Sequence, residues 1–526
     1  MPTFKLDGHA IPFEPGDTII KAAWRQGIDI PHYCWHPGLS APANCRMCLV
    51  EIAPKPGTRP PMLDILEWDA KSGAYRTRQK PKLQPACYTA AADGMEVLGD
   101  TSDHVREARR DVQEFLLLNH PVDCPICDQS GECKLQDYWL EHGKYQKRMR
   151  DEPVHKPKAV VFGPTIVYDG ERCVMCTRCI RFMAEVAKDP VLDMRERGNL
   201  NEIMVAPGRQ LEGHYTFMTE HVCPVGALTT KDFRFKARVW FLRTASSVCQ
   251  GCATGCNAHL DYDPRSNRAY RYRPRDNEKV NKFWMCDDGM LTYKDAHDGR
   301  VLESKIQGVS TSTAGALERA KALFAEASKE SVALVLSALH SLEDNWALLQ
   351  LGALMGTQRI FMSGKPDGYE DDILIHRDKN PNTKGVQLLA SGALAIGALA
   401  DEVTAGRVTH IIALGGVVSG DIEPLRRATI IAIAAHDGPL TAVATVLLPA
   451  TSWAEHAATY VNARGLRQAS EKAIEPQGAS KPAWKQVADL AMALGYEAPW
   501  TKLSQIRAQL AVEAPAVRPS SSLHAE

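Results

Sequence analysis

The residues of this sequence best suited to chemistry are its fifteen cysteines, all of which lie between Cys34 and Cys286. Thiolates are soft metal ligands, whereas cysteines used only as small buried hydrophobes would not stop halfway along a chain. The N-terminus, MPTFKLDGHA, lacks the pattern of a signal or transit peptide. The expected setting is therefore cytosolic, where thiols stay reduced and disulfides are rare. Metal ligation is the expected role.

Spacing divides the cysteines into four sets. Cys34, Cys45 and Cys48 form a C-x10-C-x2-C loop with Cys87 further on. Two irons bridged by sulfides need this loop-plus-distant-cysteine arrangement, although four cysteines could also hold zinc. The second set, HPVDCPICDQSGEC, offers only Cys124, Cys127 and Cys133. A four-iron cluster needs one more ligand, and His120 is the nearest candidate, because imidazole can replace thiolate at such sites. The bland alternative is a histidine facing the last carbonyls of a helix. The third set is Cys173, Cys176 and Cys179, with a remote Cys223 followed by Pro224, which is bacterial-ferredoxin logic for a four-iron cluster. The fourth, Cys249, Cys252, Cys256 and Cys286, suits a four-iron cluster or a structural zinc ribbon.

The elements that must position these ligands are partly readable. TFKLDG and HAIPFE predict a hairpin turned at Asp7-Gly8. Asp17 is expected to cap a helix carrying Ile20, Ala23 and Trp24 and ended by Gly27. The Pro-, Lys- and Arg-rich stretch 54–82 reads as a hairpin-like surface insertion without chemistry of its own. A helix with Val105, Ala108, Val112, Phe115 and Leu116 on one face should end before Pro121. Beyond residue 300 the pattern is α/β, with VALVL, HIIALG and ATVLLP as buried strands and GALERAKALFAEA as a helix. The last stretch, VEAPAVRPSSSLHAE, has the composition of a disordered tail.

Bulk composition excludes little and supports this reading. At 44% apolar, 24% charged and net charge −1, the chain has no electrostatic reason to seek nucleic acid or an anionic membrane. No apolar run nears the roughly 18–20 residues of a membrane span.

In this order the motifs resemble the large iron–sulfur subunit of respiratory complex I, the NADH–quinone oxidoreductase. The match covers residues 1 to about 300 through the C-x10-C-x2-C loop, HPVDCPICDQSGEC, ERCVMCTRCIRF, CPVGAL and the fourth set. TVLLPATSWAEHAATYVNARGLRQ is similar to the cofactor domain of molybdopterin oxidoreductases. The resemblance implies a multidomain α/β and α+β chain. Its parts would be a β-grasp two-iron (2Fe-2S) ferredoxin-like domain at 1–100, a small helical histidine–cysteine cluster domain at 101–145, and a four-iron (4Fe-4S) ferredoxin-like domain at 146–240. A fourth cluster plus a shortened, cofactor-free molybdopterin-oxidoreductase-like domain would follow at 241–510, with the tail at 511–526.

The resemblance further implies one two-iron and three four-iron clusters, and no molybdenum cofactor. Metal-holding relatives use a cysteine, selenocysteine or serine, and no cysteine follows Cys286. Implied partners are a flavin-bearing NADH-oxidising subunit and quinone-side iron–sulfur subunits, on the cytoplasmic side of a bacterial inner membrane. The chain would relay electrons and have no substrate site, the fourth cluster lying off the main route. An iron-only hydrogenase would need further cysteine runs that are absent. A subunit of an NAD-linked formate dehydrogenase would need a metal ligand and a full-length pterin domain. A zinc scaffold is the non-catalytic alternative.

Overall fold

The computed structural model describes residues 1–54, 57–146 and 148–511, so the predicted tail lies outside the described residues from 512 onward. The chain divides into two compact units, one running from Met1 to Val239 and the other starting at Trp240.

The first unit opens with the expected hairpin. Thr3–Leu6 pairs antiparallel with His9–Pro12, and Asp7 and Gly8 both take positive φ, the turn that best matches strand twist. A five-stranded sheet follows in the spatial order His9–Pro12, Thr3–Leu6, Glu96–Leu98, Leu49–Ala53, Gln84–Pro85. Alternation places Phe4 and Leu6 inward, against Ile19 and Ile20 of the helix Ile19–Arg25 and Val50, Ile52 and Val97 of the sheet. Asp17 does not cap that helix. Thr18 occupies the cap position without a side-chain bond, and the buried Asp17 carboxylate instead accepts from the Glu14 backbone and pairs with Arg25 at 2.7 Å. A buried carboxylate is better satisfied by a full cation than by one backbone N–H.

The insertion is a hairpin, Met62–Asp69 paired with Ala74–Pro81 along its whole length, with Leu66, Trp68 and Tyr75 exposed. Next comes the helix Asp103–Leu117, whose N-cap Ser102 accepts from Val105. Its inward face differs from the expected one. Phe115 is exposed, and the buried positions are Val105, Arg109 and Gln113. Arg109 pairs with Asp100. Gln113 accepts from the Tyr33 hydroxyl at 2.5 Å and donates to the Leu135 carbonyl at 3.0 Å, tying this helix to Lys134–His142. Polar partners therefore decided which face turned inward, over simple hydrophobicity. The remainder of this unit holds the strands Val160–Val161, Ile166–Tyr168 and Leu228–Thr230 in one sheet, and the helix Arg178–Arg181 running into a π-helical turn, Phe182–Val186.

The second unit begins with an antiparallel meander, Arg243–Val248, Asn257–Asp263 and Arg268–Pro274. An eight-stranded sheet follows, in the order Val309–Thr311, Ser304–Ile306, Val446–Pro449, Thr429–Ala434, His410–Leu414, Val332–Ser337, Arg359–Ser363, Leu394–Ala395. The last six in that order are parallel. Leu334, Leu336, Ile412 and Ile431 face helices Leu342–Met355 and Ala483–Ala493. Ala333, Val335, Ile411 and Ile430 face Ile396–Thr404. Burial on both faces explains why VALVL and HIIALG are unbroken apolar runs.

Candidate metal centres

The first set is assembled by strand pairing. Leu49 lies opposite Pro85, and the Ala86 N–H donates to the Cys48 carbonyl at 2.9 Å, so Cys87 is drawn beside the 34–48 loop. Cys34 lies near enough to Cys45 and Cys87 to perturb them, and Cys48 to Cys87. Those contacts pull the Cys34 and Cys48 thiols down and, with burial, push Cys45 and Cys87 up, as expected when neighbouring thiols share negative charge. Ala43 and Arg46 take left-handed backbone conformations in the loop, strain of the kind that clusters at sites.

In the second set, His120, Cys124 and Cys133 line one largely apolar cavity of about 440 Å³ with Leu117, Pro121 and Trp139. Burial, helped by the charge of Arg172, pushes His120 down to about 4. Its imidazole is therefore neutral near pH 7, the form that ligates metal. Cys127 is buried and is not among the residues lining this cavity. A Cβ on Gly226 would fall 2.3 Å from the Cys127 sulfur. Gly226 belongs to CPVGAL of the third set, so the two ligand loops pass in direct contact. Lys134 N–H also donates to the Pro224 carbonyl at 3.0 Å. Arg172 Nη2 donates to Asp123 at 2.8 Å, joining the residues just before Cys173 and Cys124.

Cys173, Cys176 and Cys179 lie on a loop in which Met175 and Thr177 are left-handed, ending in the helix Arg178–Arg181. Cys223 follows the helix Phe217–His221. Burial pushes Cys173, Cys176 and Cys223 up to about 11, with the neighbouring thiols adding to it. Cys179 is pushed higher by the same causes. The Met175 N–H donates to the Cys173 sulfur at 3.4 Å.

The fourth set uses the meander. Val248 lies opposite Asn257, and Cys249 N–H donates to the Cys256 carbonyl at 2.8 Å, which closes the loop holding Cys252. Cys286 caps the helix Asp287–Leu291. All four are buried, and burial raises Cys249 to about 12 and Cys256 and Cys286 well above the usual thiol range. Backbone N–H groups of Gly251 and Gly289 donate to the Cys249 and Cys286 sulfurs at 3.4 and 3.3 Å. A Cβ on Gly289 would fall 2.9 Å from the Cys249 sulfur.

Within the sets, the structure places Cys87 beside the 34–48 loop, His120, Cys124 and Cys133 around one cavity, and Cys249 beside Cys256. Among the described residues, no group of three or more Cys, His, Asp or Glu side chains is arranged to hold a single ion. Sequence reasoning missed the glycines that let sulfurs pass, Gly226 and Gly289, and the arginines flanking ligands, Arg172, Arg178 and Arg181. The available signal was their position inside or beside the cysteine motifs.

A further cavity, about 380 Å³, lies at the carboxyl ends of the parallel strands of the second unit. Chain order reverses there, between Val332–Ser337 and His410–Leu414, where open α/β sheets carry ligands. Its lining includes His340, Lys365, Ser452, Trp453 and His456, and contains no cysteine. His340 Nδ1, Ser452 Oγ, Trp453 Nε1 and His456 Nε2 lack hydrogen-bond partners. The cavity is thus lined by polar groups, Ser341 and Ser452 among them, and by no cysteine. Among the described residues no helix is long and apolar enough to cross a membrane.

Family models match in four places: a 2Fe-2S iron–sulfur cluster binding domain at 1–102, an NADH-ubiquinone oxidoreductase-G iron–sulfur binding region at 109–148, the ferredoxin-like domain of NADH-quinone oxidoreductase subunit 3 at 163–229, and molybdopterin oxidoreductase at 420–493. Subunit 3 of NADH-quinone oxidoreductase from Thermus thermophilus is 33% identical over 380 residues, covering 69% of this chain and 47% of the relative. The mitochondrial NADH dehydrogenase [ubiquinone] iron–sulfur protein 1 from Solanum tuberosum is 34% identical over 367 residues, 68% of this chain and 45% of the relative. The chain therefore spans about half or less of the curated relatives it matches. A chain from the structure of an NAD+-reducing NiFe hydrogenase is 28% identical, with a TM-score of 0.36, over 45% of this chain and 91% of that one. By these family models and relatives, the chain is similar over more than half its length to the iron–sulfur proteins named NADH-quinone oxidoreductase subunit 3 and NADH dehydrogenase iron–sulfur protein 1.

Proposed function

We propose that this chain is an electron-relay subunit of an NADH–quinone oxidoreductase, taking electrons from an NADH-oxidising flavin subunit and passing them toward quinone. What supports the reading is the spacing of the fifteen cysteines and His120, together with the iron–sulfur family models at 1–102, 109–148 and 163–229. In this reading Cys34, Cys45, Cys48 and Cys87 hold a two-iron cluster. His120, Cys124, Cys127 and Cys133 hold a four-iron cluster, as do Cys173, Cys176, Cys179 and Cys223, and Cys249, Cys252, Cys256 and Cys286. The clusters supply one-electron chemistry.

The protein's own contribution is placement and electrostatics. Thiols that burial keeps protonated must release protons when they ligate, so loading is coupled to proton loss. N–H groups aimed at the Cys173, Cys249 and Cys286 sulfurs stabilise negative charge there and raise potentials. Neutral His120 in place of a thiolate makes its site less negative, with the same effect. The contacts among the first three sets make one continuous path within the first unit. The second unit carries no molybdenum in this reading, no cysteine following Cys286 to ligate it. The complex would sit on the cytoplasmic face of a bacterial inner membrane, held there by partner subunits.

The test is metal and sulfide content of anaerobically purified protein. About 14 irons per chain with matching sulfide, and no molybdenum, is expected. A colourless zinc-loaded protein would refute the relay, and stoichiometric molybdenum would refute the account of the second unit.

A further inference from the structure

A polar seam joins the first and third cysteine sets, and two arginines build it. Arg181 Nη2 donates to the Cys34 carbonyl at 2.5 Å and to the Cys176 carbonyl at 3.3 Å. Its Nη1 donates to the Ser40 carbonyl, and its Nε to Thr177 Oγ1 at 3.2 Å. Arg178 repeats the pattern one turn earlier. It donates to the carbonyls of Trp35 and Val222, the residues beside Cys34 and Cys223. On the following π-helical turn, Glu185 accepts from the Ser40 N–H at 2.9 Å and from the Ser40 hydroxyl. Asn44 donates across the same seam to the Met175 carbonyl at 3.3 Å.

An arginine suits this position for two reasons. Its planar fork presents several donors at fixed angles, so one side chain can hold carbonyls from two loops, and its charge is permanent. A guanidinium bonded to carbonyls keeps its positive field, which in a water-poor setting acts strongly on nearby anionic centres. Two sets of four thiolates are such centres, and both gain negative charge when reduced.

We propose that Arg181 is a positioning residue for electron transfer, locking the Cys34 loop to the Cys176 loop through one shared nitrogen and placing a fixed positive charge between the two sites. This rests on the relay reading above. Arg181 then sets the separation of the two centres and favours the reduced form of both, while Glu185 tempers its charge.

The experiment is a redox titration followed by electron paramagnetic resonance on the full chain, parent and variants, with iron content measured first. A parent without clusters would refute the relay reading itself, before any variant is compared. In iron-loaded Arg181→Gln both midpoints fall, by a factor of about ten in the reduced-to-oxidised ratio, or about 59 mV for one electron. Arg181→Lys keeps both near the parent values. Glu185→Gln raises both, and it decides the matter if Arg181→Gln fails to load iron, because it removes no donor to a ligand loop. A merely structural arginine would lower iron content and leave the remaining midpoints unmoved. Unmoved midpoints in loaded Arg181→Gln and Glu185→Gln, or a shift at only one of the two sites, would overturn the proposal.

Discussion

Replacing Gly226 by alanine adds one methyl group and tests how the second and third sets are fitted together. Gly226 does not take a left-handed backbone, so alanine meets no conformational obstacle there. The obstacle is contact. The new Cβ would sit 2.3 Å from the Cys127 sulfur and 3.0 Å from Gln129 Cβ, roughly 1 Å inside the closest comfortable approach of about 3.5 Å. Cys127 is buried, and its carbonyl is held by Arg238 Nη1 at 2.7 Å, so the sulfur has little room to retreat. Overpacking of this kind costs about 1–3 kcal/mol. Because a ligand sulfur must absorb the shift, the expected loss is the His120 cluster, taking iron from about 14 to about 10 per chain. Iron and sulfide analysis with thermal unfolding reads both effects. Gly397→Ala is the control, because nothing lies within 4 Å of its Cβ position. Gly226→Ala protein with full iron and parental stability would refute the reasoning.

Two further perturbations act on single side chains. His120→Cys is expected to keep a cluster and lower its potential, because a thiolate replaces a neutral ring, whereas His120→Ala loses or disturbs it. Identical titrations in both variants would show that His120 does not ligate. In the meander beside the fourth set, burial would push Asp261 up, but the guanidiniums of Arg273 and Arg271, at 2.7 and 2.8 Å, overcome it and hold the carboxyl well below its usual range. Asp261→Asn removes the buried carboxylate that both guanidiniums share and should cost about 1–3 kcal/mol in denaturant unfolding. A depressed carboxyl contributes its full stability above the unfolded value of about 3.9, and loses it only as pH falls through the folded value. The difference between variant and parent should therefore hold constant from about pH 7 to pH 5, and a difference that vanished by pH 5 would contradict the pairing.

Much of the fold was legible where a local rule operates. The Asp7-Gly8 turn, the strand at Val332–Ser337 and the helix at Asp103–Leu117 follow from turn chemistry and hydrophobic period. The same rules misplaced Asp17 as a cap and Phe115 as core. In each case a polar partner decided: Arg25, at the far end of the same helix, drew the Asp17 carboxylate, and Tyr33 and Leu135 drew Gln113 inward.

The same division holds for the site. The choice of candidate ligands is a matter of residue type and short spacing, so the four proposed sets, His120 included, could be read from the sequence alone. What surrounds them could not, because it depends on segments far apart in the chain meeting in space. Arg181 looks like any surface cation until the Cys34 loop folds against it. Gly226 looks like any loop glycine until the Cys127 sulfur passes over it. Sequence by itself determined which atoms are offered for binding, whereas tertiary structure decided the charges and contacts around them, since electrostatics and packing act through distance in space and take no account of distance along the chain.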